Sequence, residues 1–94
     1  MKVYLYFRRR DEAMKAARKM ASAPQLSVEI DEDTGLYVNV SCKKGVEVIL
    51  GHGAASNPNF VLMFKAGYSL IHIDTELLHE VRVKGTTARS RRYH

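Results

Sequence analysis

The sequence predicts an α+β domain, with one N-terminal amphipathic helix packed on a mainly antiparallel sheet in the order β-α-β-β-β-β-β. Two observations carry this. Hydrophobicity alternates with period two through residues 2–7, switches to helical spacing through residues 11–21, and then alternates again in short segments set apart by turn residues. With 94 residues, 46% hydrophobic and 27% charged, the chain has room for one domain and is too apolar for a disordered one.

In the first strand Val3, Leu5 and Phe7 share one face, and Tyr4 and Tyr6 the other. Over residues 11–21, Ala13, Met14, Ala17, Met20 and Ala21 recur at helical spacing, with Lys15, Arg18 and Lys19 opposite them. Asp11 and Glu12 sit at the positive end of the helix dipole and the basic residues towards its negative end. Pro24 closes the helix, and Leu26, Val28 and Ile30 alternate with polar residues as a second strand. Asp33-Thr34-Gly35 turns the chain into a strand over residues 36–42, and Lys43-Lys44-Gly45 turns it again into residues 46–50, so these three strands read as a meander. Residues 51–59 are small and polar and form the one long loop, beyond which residues 60–65 and 68–73 flank Ala66-Gly67 as a hairpin.

Both hairpin strands are apolar on both faces. Ile49, Val61, Met63, Ile71 and Ile73 therefore define a face that a single-layer sheet would leave wet and that needs a cover. One cover is a short second helix near residues 75–82, where Leu77, Leu78 and Val81 follow a cap at Asp74; the other is a second copy of the chain in a two-fold dimer. Val81 and Val83 also alternate with Arg82 and Lys84 as a strand would, but the helix is the preferred reading. From Gly85 onwards no period remains, so residues 1–84 form the domain and residues 85–94 a flexible basic tail.

Several classes of protein fall away. The longest apolar run, Phe60-Val61-Leu62-Met63-Phe64, is far short of the ~20 residues of a membrane-spanning helix. The arginines follow the first apolar run, the reverse of a secretory leader, and Cys42 is the only cysteine, so no intrachain disulfide forms. The expected location is cytoplasmic. Cys42 itself reads as a small, buried strand residue.

Charge is the strongest functional signal. Residues 1–20 hold seven basic and two acidic side chains, residues 21–42 four acidic and none basic, and residues 66–94 five basic against three acidic, so the net charge of +5 is polarised. Arg8, Arg9 and Arg10 sit where the first strand meets the helix, Lys15, Arg18 and Lys19 continue along the helix, and Arg89, Arg91 and Arg92 add a cluster in the tail. Such clusters neutralise phosphates and steer association with polyanions. Tyr4 and Tyr6 could stack on bases, although packing or sheet-surface roles are the first reading of them.

Other constellations are weak. Gly51-His52-Gly53 lacks both the Lys-Ser/Thr of a phosphate loop and the third glycine of a dinucleotide fold. His52, His72, His79 and His94 include no pair at i, i+3 or i, i+4, so no metal site is expected, and no cofactor is implied. Ser56, His52 and Asp74 could form a hydrolase trio but lack a nucleophile-elbow context.

The sequence thus points to a small non-enzymatic binding protein whose basic surface engages nucleic acid, or an acidic face of a nucleoprotein or protein complex, as a regulator or inhibitor of the kind carried by phages and mobile elements. One alternative is an RNA-cleaving toxin using Arg91, Arg92, Tyr93 and His94 for metal-free cleavage. The other is a dimeric interaction module built on the apolar face.

Overall fold

The computed structural model describes residues 1–52 and 60–84. Among them the chain forms β1 (Lys2–Phe7), α1 (Arg10–Ala21), β2 (Leu26–Ile30), β3 (Tyr37–Cys42), β4 (Glu47–His52), β5 (Phe60–Ala66), β6 (Ser69–Asp74) and β7 (Leu78–Lys84), with one turn of 3-10 helix at Thr75–Leu77. The α+β class and the helix packed on antiparallel strands are as the sequence predicts. The tail and residues 53–59 lie outside the described residues.

The strands divide between two sheets, where the sequence suggests one. The first has the order β2-β3-β1-β7 and the second β4-β5-β6, all neighbours antiparallel. The expected meander ends at β3. Its free edge is taken by β1, with Val3 opposite Val40 and Leu5 opposite Val38, and β4 leaves for the second sheet after the turn at Gly45. Because β3 is antiparallel to both β1 and β2, the unit β1-α1-β2 is a split β-α-β crossover. The unit from β3 to β7 is split in the same way around β1, with the three-stranded sheet standing where a crossover helix would run.

Residues 75–81 do not form the expected helix. The Asp74 carboxylate accepts the Glu76 N–H at 3.0 Å and caps a single 3-10 turn, after which β7 begins. Local spacing allowed either outcome. As a strand, the segment pairs with the second edge of β1 and completes its backbone hydrogen bonds, which a helix would leave open.

Alternation in β1 places Val3, Leu5 and Phe7 in the core, each at most 1% exposed, and Val38 and Val40 of β3 lie beside them. Helix α1 lays Ala13, Ala17 and Met20 on that inner face. Val48, Leu62, Phe64, Ile71 and Ile73 from the second sheet join the same continuous cluster. Burying each of the larger side chains contributes about 1.5–3 kcal/mol. The cover that the apolar strands require is therefore the inner face of the first sheet together with α1.

This arrangement corrects the proposed dimer face. Ile71 and Ile73 pair in register with Phe64 and Leu62 and are buried with them, at 6% and 4% exposure. Ile49 and Met63 face each other on the opposite side and are half-buried, and Val61 holds the matching register position in β5. Strand register thus puts Ile71 and Ile73 on the face opposite to that of Ile49 and Met63, because Met63 pairs with His72 and not with either isoleucine.

Candidate nucleic-acid interface

With the inner face of the first sheet packed, its outer face carries the residues of opposite parity. Across the strands these stand in rows: Ser27, Ser41, Lys2 and Lys84; then Glu29, Asn39, Tyr4 and Arg82; then Tyr37, Tyr6 and Glu80. Tyr4, Tyr6, Tyr37, Asn39, Glu80, Arg82 and Lys84 line a shallow depression of about 480 Å³.

The aromatic residues are fixed in place. The rings of Tyr6 and Tyr37 stack at 4.4 Å between centroids and 10° between planes. The ladder shifts between Tyr6 and Phe7, where Glu80 and Leu78 are the respective partners, so His79 is the extra residue of a bulge. That bulge places the His79 ring 4.9 Å from Tyr6, edge to face. Desolvation raises the Tyr37 hydroxyl above the ordinary tyrosine range, with Tyr6, Glu80 and Asp31 adding to the effect.

The cations of this face gather at one end of the β1–β7 pairing, at the edge of the sheet. Lys2 and Lys84 are directly opposite on β1 and β7, an arrangement of like charges that costs stability in the absence of an anion. The Lys84 Nζ lies 5.9 Å from the Tyr4 ring centroid. Arg82 stands opposite Tyr4 in register, and its Nε donates to Glu80 of the next row at 2.9 Å. Lys43 and Lys44 follow β3 at the same end of the sheet.

The basic residues clustered in the sequence are placed elsewhere. Lys15 and Arg18 are exposed on α1, on the other side of the sheet from Tyr4. Lys19 Nζ donates to the His72 carbonyl at 2.6 Å and fastens α1 to β6. Arg8 is exposed, with its backbone N–H on the Leu77 carbonyl. Arg9 pairs with Asp11 at 3.1 and 3.3 Å, and the hydrogen bond from Arg9 holds the Asp11 carboxyl below the usual aspartate range. Arg10 packs against Gly35, where φ is +70° and an added Cβ would lie 2.9 Å from Arg10 Nε. That glycine ends the acidic turn in which Asp31 accepts the backbone N–H and hydroxyl of Thr34 at 3.0 and 2.7 Å. Arg89, Arg91, Arg92, Tyr93, His94 and Ser56 lie outside the described residues.

Sequence reasoning singled out Tyr4 and Tyr6 and missed Lys2, Tyr37, Asn39, Arg82 and Lys84. The signal available for the last two was the alternation of Arg82 and Lys84 with Val81 and Val83, which the helix reading set aside.

Cys42 is half-buried, and desolvation raises its thiol, the reverse of an activated nucleophile. Among the described residues no group of three or more His, Cys, Asp or Glu is placed to hold a metal ion, and no helix is long and apolar enough to cross a membrane. Compared with protein-family models, curated proteins and solved structures, the chain matches none of them.

Proposed function

We propose that this is a non-enzymatic nucleic-acid-binding protein acting through the outer face of its four-stranded sheet, and that it regulates or inhibits by occupying the strand it binds. The observation that supports this reading is the juxtaposition of Lys2 and Lys84 beside Tyr4, with Arg82 in the next row. An exposed sheet that combines stacking rings with cations suits a nucleic acid, whose charge is regular and whose bases offer flat faces. An acidic protein surface would use the same cations, but only a nucleic acid offers a flat base beside every phosphate.

Fluorescence anisotropy with labelled oligonucleotides tests this reading. Three phosphate contacts, from Lys2, Arg82 and Lys84, predict that affinity for a single strand falls about twentyfold between roughly 50 and 200 mM salt. The oligonucleotide should be recovered intact. Affinity independent of salt, or cleavage of the strand, contradicts the proposal.

A further inference from the structure

We infer that the depression over Tyr4 is a subsite for one unpaired nucleotide, with its base on the Tyr4 ring, its edge at Asn39 and its phosphate at Lys84 and Lys2; this rests on the nucleic-acid reading above. The volume of about 480 Å³ falls in the range of small-ligand sites.

The division of labour among the tyrosines follows from their contacts. Tyr6 and Tyr37 cover each other's facing rings, and His79 holds Tyr6 from another direction, so a base could enter between them only by breaking that stack. They form a wall. In its own row Tyr4 is flanked by Asn39 and Arg82, neither of them an aromatic ring. Its only described ring contact is Lys84 Nζ, at the outer limit of a cation–π contact and near enough to reach the phosphate of a nucleotide whose base covers the ring.

Asn39 supplies both a donor and an acceptor one strand away, the combination that reads the edge of an unpaired base. In a duplex that edge is paired and both base faces are stacked. Among the described residues the outer sheet face also presents no helix to enter a groove, since α1 lies on the other side. The chemistry selects an unpaired nucleotide, and RNA and DNA arms of one experiment decide which sugar it carries.

The test compares full-length protein binding to labelled single-stranded RNA, single-stranded DNA and the corresponding duplex, each about ten nucleotides long. At least one single strand should bind about tenfold more tightly than the duplex. Tyr4→Ala should remove about tenfold of that affinity, whereas Tyr4→Phe should keep it. Photocrosslinking of the wild-type protein to a halogenated-uracil strand should map to Tyr4, which keeps the proposal open to refutation if Tyr4→Ala fails to fold. Equal binding of duplex and single strand, or crosslinks confined to α1, overturns the subsite while leaving nucleic-acid binding in place. No binding to any of the three at low salt overturns both.

Discussion

Two basic regions distinguish this molecule, and they were assembled in opposite ways. Arg8, Arg9, Arg10, Lys15, Arg18 and Lys19 are neighbours in sequence, yet the fold gives several of them local work. Arg9 is held by Asp11, Arg10 lies over Gly35 beside an acidic turn, and Lys19 ties the helix to β6. Lys2, Arg82 and Lys84 come from opposite ends of the described chain and meet only because β7 pairs with β1. There the opposed lysines are aligned with a tyrosine and face solvent. Under the proposed function, the binding surface is the set of cations that strand register gathers at a cost, and not the run of like charges in the sequence.

The largest expected effect comes from disrupting the gathered region. Lys2→Glu with Lys84→Glu should weaken single-strand binding by about 25-fold at 0.1 M salt and flatten the salt dependence, since two phosphate contacts are lost. Parallel thermal melts should show no loss of stability, because the like-charge opposition is not increased. The matching change on the helix, Lys15→Glu with Arg18→Glu, should alter affinity by no more than about threefold through long-range steering, measured in the same titration. Equal losses in the two double variants would abolish the distinction.

The smallest effect concerns the acidic turn whose glycine lies against Arg10. The Thr34 hydroxyl and N–H hold the Asp31 carboxyl below the ordinary aspartate range. A carboxyl depressed on folding stabilises the fold above that range and loses its contribution as pH falls through the folded-state value. Melts of the wild type from pH 6 down to about pH 2 should therefore decline, and Asp31→Asn should start lower at pH 6 and decline less. Nucleic-acid affinity at neutral pH should be unaltered by that variant.

How much of this was legible in the sequence depended on whether the cause was local. The alternation of Val3, Leu5 and Phe7 and the helical spacing of Ala13, Ala17 and Met20 specify their elements and buried faces without help from distant residues, whereas Met14 and Ala21, read on the same helix face, are exposed. Residues 75–84 satisfy two local patterns at once, and the choice between them was made by the open edge of β1, far away in sequence. The division into two sheets was hidden for the same reason, since β3 accepts β1 and not β4 as its second neighbour. Tyr4 and Tyr6 were visible as one face of a strand. That Tyr6 is paired with Tyr37, and Tyr4 flanked by Asn39 and Arg82, follows from cross-strand register that no single segment encodes.

The central claim is that the β1–β7 side of the sheet, and not the helix, meets the nucleic acid. A titration of isotope-labelled protein with a short single strand, followed by backbone amide chemical shifts, reads both regions at once. The account predicts the largest shifts at Lys2, Tyr4, Asn39, Arg82 and Lys84, with Lys15 and Arg18 nearly still. Shifts centred on Lys15 and Arg18, with the sheet face unmoved, would contradict it.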